Sequence, residues 1–145
     1  MKILFVAEKY YPQTSGVPVV VKYLAEGLVK KGHQVAVATQ SCNNPLKEEN
    51  HNGVSIFRFD IYENLFKVPK GDISGFVNFV INYGADATIL ECTQCITTDV
   101  LLPQLSKIKG HRFFHIHGIS GLSADKKLFS IKSDFKHTIG NTYNP

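Results

Sequence analysis

The chain of 145 residues holds only three cysteines, an odd number. Without a secretory leader in front of them, they argue against a disulfide framework. No apolar run approaches the ~18 residues that mark a membrane-spanning helix. No stretch of Lys and Arg is dense enough to read as a nucleic-acid patch, and the net charge of +4 is modest. Met1-Lys2 leads straight into "ILFVA", too short for a signal-peptide apolar region and with no small-residue cleavage site after it. A cytoplasmic protein that binds no nucleic acid is therefore expected. Neither G-x-G-x-x-G nor G-x-x-x-x-G-K-[ST] follows the first apolar run, and the second apolar run ends in Thr39-Gln40 with no acidic residue for a ribose. Dinucleotide and P-loop chemistry are both excluded on those grounds.

What is present is a globular composition, 43% hydrophobic and 19% charged, in a length that suits one domain. "KILFVA" (2–7), "QVAVAT" (34–39), "VSIFRF" (54–59), "ATILEC" (87–92) and "RFFHIH" (112–117) have strand length and apolar or alternating character. "VSIFRF" alternates and reads as a strand nearer an edge; residues 41–53 read as a polar, turn-rich loop, and 60–70 match no pattern. Between the strands lie helical periods. Val17, Val20, Val21, Leu24 and Leu28 form one face, with Pro18 in the first turn and Gly32 just past the end. Ile73, Phe76, Val77 and Val80 form a second, and Leu101, Leu105 and Ile108 a third, with Pro103 starting or kinking that helix. The tail from Ser120 is weakly patterned, with a helix expected around 123–137.

Strands alternating with helices specify an α/β fold, a Rossmann-like doubly wound parallel sheet in the order 3-2-1-4-5. In such sheets ligands sit beyond the carboxyl ends of the strands, where strand order reverses. Those ends are residues 7–16, 39–41, 91–95 and 117–121.

Three features of these loops carry chemistry. Gly16 opens the first helix, and the N–H groups of Gly16 and Val17 can hold a phosphate; the plainer reading is that Ser15 or Gly16 caps a helix. His115 and His117 share one face if the strand persists, and His117, at the strand end, overlooks the crevice; His115, deeper in the strand, reads as structural. Cys92 and Cys95 form a C-x-x-C that, with the two histidines, would complete a Cys2His2 metal set; the plainer reading is chance spacing with Cys92 a small buried hydrophobe. No metal is expected. A phosphoacceptor role for Asp60 is disfavoured, because Glu8-Lys9 and His117 stand where a receiver domain has an acidic pair and a lysine. Lys126, Lys127, Lys132 and Lys136 read as a solvated face able to touch an anionic membrane weakly.

"MKILFVAEKYYPQTSGVPVVVKYLAEGLVKKGHQVAVAT" and "FFHIHGISG" together resemble the N-terminal domain of retaining GT-B glycosyltransferases of family 4. The first resembles that family's opening strand, its P-x-x-x-G-type loop, first helix, K-G-H turn and second strand; the second resembles the strand ending in His-Gly. The motifs bracket about 120 residues. The resemblance implies a two-domain enzyme that transfers a sugar from a nucleotide-diphosphate sugar to a glycan or lipid-linked acceptor, without a cofactor. Residues 1–145 would be its N-terminal, acceptor-side domain, partnered by a C-terminal donor-binding domain absent from this chain, and inactive alone. Ser15, Gly16 and Val17 would meet the donor diphosphate. His117 would reach the donor sugar near the reaction centre, and Glu91 and Gly118 would lie on the acceptor and sugar side of the cleft. The family often has Gly-Gly where this chain has Ser15-Gly16. A peripheral contact at the inner face of the membrane is the accompanying expectation, in line with the weak anionic contact of the four lysines. The competing class is a non-catalytic, flavodoxin-like module for a small anion or a protein partner.

Overall fold

The computed structural model describes residues 1–41 and 48–118. Cys42, the helix expected over 123–137 and the four tail lysines lie outside them. In chain order the elements are β1 (Lys2–Val6), α1 (Val17–Lys30), β2 (Gln34–Gln40), β3 (Glu48–His51), β4 (Val54–Phe59), β5 (Ile61–Glu63), β6 (Pro69–Gly71), α2 (Ile73–Asn82), β7 (Ala87–Glu91), α3 (Ile96–Asp99), a 3-10 helix (Leu102–Lys107) and β8 (His111–His115).

The main sheet runs β3-β4-β2-β1-β7-β8. Every pair is parallel except β3 with β4. Without β3, the five expected strands stand in the expected order, 3-2-1-4-5. β1 is buried on both faces, which is why its sequence is continuously apolar. Leu4 and Val6 point to a layer containing Phe76 and Val80 of α2, Ile96 of α3 and Leu101. Ile3 and Phe5 point the opposite way, to Val21 and Ala25 of α1. Helices therefore cover both faces of a doubly wound sheet.

Four expectations need correction. The loop expected over 41–53 contains β3, a polar edge strand whose glutamates keep the sheet edge soluble. It joins β4 through Asn52-Gly53, both at positive φ, as a two-residue hairpin requires. Residues 60–70 hold most of a small antiparallel hairpin, β5 with β6, whose turn is pinned by the Asn64 carboxamide oxygen accepting from the N–H groups of Phe66 and Val68. The helix expected over 96–108 breaks into α3 and a 3-10 segment with Pro103 in its first turn. Finally, α1 buries Pro18, Val21 and Ala25, leaving Val20 and Leu24 exposed. Small side chains, and not the largest ones, meet the sheet, so the helix is rotated from the face that the apolar spacing marks.

The open end of β8 is set by Gly110. Its φ is +77°, and a Cβ there would lie 2.5 Å from the Ala85 carbonyl oxygen and 2.6 Å from that of Asp86. The next N–H, of His111, donates to the Asp86 oxygen at 2.9 Å. Gly110→Ala is expected to cost about 1–3 kcal/mol through strain and clash together, read as a lowered urea midpoint with an unchanged m-value.

Candidate functional site

The chain builds outward from β1 to β2 on one side and to β7 on the other, so strand order reverses between β1 and β7. A crevice is forced open at their carboxyl ends, because the connections leave in opposite directions. A cleft of about 210 Å³ lies there, lined by Glu8, Lys9, Val17, Pro18, Glu91, Cys92 and Cys95. It is small beside the ~300–1,000 Å³ of sites that enclose a whole small ligand.

One wall is the start of α1. Gly16 takes φ 68° and ψ −143°, a conformation that side chains strongly disfavour. Gly16 occupies the cap position, as the plainer reading allowed, and no side chain, that of Ser15 included, caps this end. Pro18 brings no N–H, and that of Val19 turns back to the Gly16 carbonyl at 3.1 Å. Of the residues expected to meet a diphosphate, Val17 lines the cleft and Ser15 and Gly16 lead directly into it, both exposed.

The other wall holds a buried acid. β7 and β8 pair in parallel register with Glu91 opposite His115, so their side chains leave the same face of neighbouring strands. The Glu91 side chain has 0% exposure. Its Oε2 atom lies 2.6 Å from Nε2 of His117, a hydrogen bond, and 3.0 Å from Nδ1 of His115, an ion-pair distance. The two rings lie 4.1 Å apart. The other carboxylate oxygen, Oε1, is buried with no hydrogen-bond partner among the described residues.

Glu91 lines the cleft, with its buried carboxylate against both histidines. One expectation is corrected. His115 is not the deeper, structural ring: its side chain is 41% exposed against 17% for His117, because β8 ends at His115 and the chain turns His117 back over Glu91. Gly118 follows at φ 147°, exposed, with open space where a Cβ would stand.

The two cysteines join no metal set with the histidines among the described residues. Cys95, not Cys92, is the buried one, with its sulfur 3.3 Å from the Thr97 hydroxyl at the start of α3. Cys92 is partly exposed at φ 67°, and its N–H donates to the His115 carbonyl at 3.0 Å. Burial, then the neighbouring Cys95, raises its thiol above the ordinary range.

Sequence reasoning missed Arg58. Its buried guanidinium donates to the Tyr11 carbonyl at 2.6 Å and pairs with Glu49. The loop before α1 is thus tied to the edge strand β3. The alternation in β4 hid this, because Arg58 occupies a core-facing position where an apolar residue is the default. The Asp60 side chain is exposed, and its backbone oxygen accepts from the N–H of Asp72 at 2.8 Å.

Residues 2–91 match the starch synthase catalytic domain family of glycosyltransferases. Over 67 residues the chain is 40% identical to an uncharacterized 42.6 kDa protein in the cps region of Klebsiella pneumoniae, covering 46% of this chain and 18% of that one. Its fold is similar to sucrose-phosphate synthase from Thermosynechococcus elongatus, with a TM-score of 0.58 at 12% identity, covering 92% of this chain and 39% of that one. The chain therefore spans well under half the length of either protein. Among the described residues no helix is long and apolar enough to cross a membrane.

A raised Cys92 thiol carries little thiolate at neutral pH. Iodoacetamide at pH 7.5, followed by peptide mapping, is expected to label Cys92 several-fold more slowly than a free cysteine peptide; rapid labelling would restore a reactive-thiol role.

Proposed function

The chain belongs to the starch synthase catalytic domain family, and on that premise we propose that it forms the N-terminal, acceptor-side domain of a two-domain GT-B glycosyltransferase, a retaining enzyme of the family 4 type. The full protein would move a sugar from a nucleotide-diphosphate sugar to a hydroxyl of a glycan or lipid-linked acceptor. The observation that carries the reading is a glycine-opened helix start at the switch-point crevice, opposite Glu91, the buried acid that lines the same crevice and holds His117.

The chemistry follows from charge. When the sugar–phosphate bond breaks, the departing nucleoside diphosphate gains negative charge. The Gly16 and Val17 N–H groups and the positive end of α1 stabilise that charge more than the ground state, which lowers the barrier. His117, fixed by Glu91, offers a preoriented polar contact to the donor sugar, and Gly118 beside it leaves room for a substrate. No metal is needed for this division of roles. The small volume of the cleft favours a half-site that a C-terminal donor domain completes, so the chain by itself would bind nucleotide sugar weakly and transfer none.

A peripheral membrane contact at the acceptor side draws support from the β5–β6 hairpin. Leu65 and Phe66 at its tip are 99% and 85% exposed, beside Lys67 and Lys70. Apolar tips flanked by lysines suit the interface of an anionic bilayer. The flavodoxin-like anion-binding module remains the competing reading, favoured only by the helix start.

In the full-length protein, His117→Ala and Gly16→Val are each expected to lower kcat by about 10²-fold, with circular dichroism near that of the parent. Normal rates in both, with only a lower Tm, would reduce the loop to a helix start and the histidine to packing. Replacing Leu65 and Phe66 with serine should cut co-sedimentation with anionic vesicles several-fold; unchanged binding would remove the hairpin from membrane contact.

A further inference from the structure

We propose that Glu91, His115 and His117 form a binding site for a divalent transition-metal ion of the zinc class. The three donor atoms lie within 4.8 Å of one another and come from a carboxylate and two imidazoles. That donor set suits borderline-soft cations such as zinc, cobalt and nickel, whereas calcium and magnesium prefer sites richer in oxygen.

The geometry is close to what a metal requires. Ligand atoms ~2.0–2.1 Å from a tetrahedral centre stand roughly 3.4 Å apart. Here the histidine nitrogens stand 2.6 Å and 3.0 Å from the same carboxylate oxygen. Small outward rotations of the rings open the space, and each imidazole then offers the lone pair of that nitrogen as a neutral ring with its proton on the other nitrogen. Two ligands are held by backbone register, Glu91 opposite His115 across β7 and β8. The Cys92 N–H bond to the His115 carbonyl fixes the strand end that carries them.

A second observation points the same way. Glu91 Oε1 is buried and has no hydrogen-bond partner among the described residues. An acceptor in that state is costly unless something positive or donating reaches it, and a cation beside the carboxylate lowers the cost for both oxygens. Three protein ligands leave a coordination position open, so the ion is exchangeable.

The ion is an inhibitor and not a catalyst, a consequence that rests on the transferase reading above. The outward rotation that admits the ion takes the His117 ring away from the position in which Glu91 holds it for the donor sugar.

The test is a cobalt(II) titration of the metal-stripped chain, read by visible absorption, with zinc displacement followed calorimetrically. One ion per chain is expected. Glu91→Gln and His115→Ala should each weaken binding at least ~10-fold, while Cys92→Ser and Cys95→Ser should retain it. Should Glu91→Gln fail to fold, the partly exposed His115 carries the test through His115→Gln as well. Absence of stoichiometric binding, binding unaffected in folded Glu91 and His115 variants, or loss with Cys92→Ser alone would each overturn the site. In the full-length protein, zinc binding without any sugar transfer defeats the transferase reading only. Sugar transfer without zinc binding defeats this inference only.

Discussion

A carboxylate with no solvent exposure at the end of a central parallel strand is costly to bury unless partners surround it. Glu91 meets that condition at Oε2 alone, where two imidazoles lie against it, while Oε1 has no hydrogen-bond partner among the described residues. The ends of β7 and β8 are organised around this need. The strand pairing sets His115 beside the acid, and the chain beyond β8 curls so that His117 reaches the same atom. After β7 the backbone enters positive φ at Cys92 and again at Gln94 before α3 begins. Such conformations are disfavoured, and they persist here because neighbouring contacts determine the path. Cys95, whose thiol lies 3.5 Å from the Glu91 carbonyl, closes that path against the strand end.

The opposite wall is built from fewer constraints. The α1 start has neither a side-chain cap nor an N–H from Pro18, so its polarity is concentrated in a short stretch of backbone at Gly16 and Val17. One wall of the crevice thus presents backbone donors on an unusual glycine conformation, and the other holds Glu91, the buried acid against which the two imidazoles rest. The two walls belong to strands that adjoin in the sheet but are 84 residues apart in sequence, Ile3 pairing with Ala87. The crevice therefore depends on the parallel core between them, where β1 is closed to solvent on both faces.

Much of this was legible in the sequence for one reason: strands buried on both sides must be apolar throughout, and their crossovers must show a helical period. That logic locates β1, β2, β7 and the crevice, while β4 was found by its alternation and β8, largely exposed at the sheet edge, by the apolar character of "FFHI". It fails where burial is weak. β3 reads as a loop because "EENH" is an edge with nothing to bury, although Asn52-Gly53 was a hairpin signal in plain view. The β5–β6 hairpin exposes Leu65 and Phe66 and so offers no amphipathic pattern. The face of α1 was misread because Ala25 and Pro18 carry little weight in an apolar count yet allow the closest approach to the sheet. At the site, His117 was legible from its position at a strand end. The role of Glu91 was not, because its contact with both histidines depends on the register of β7 against β8, which no local pattern encodes.

Arg58 joins parts of the fold that the sheet alone would leave independent. One guanidinium grips the carbonyl of Tyr11, in the loop before α1, and the carboxylate of Glu49 on the edge strand. Tyr11 also stacks on His51 at the end of β3, with ring centroids 3.7 Å apart. Edge strands and surface loops ordinarily fray separately and at low free energy. Coupled in this way, the edge hairpin and the loop open as one unit, so the crevice wall at Gly16 inherits the local stability of a strand on the far side of the sheet.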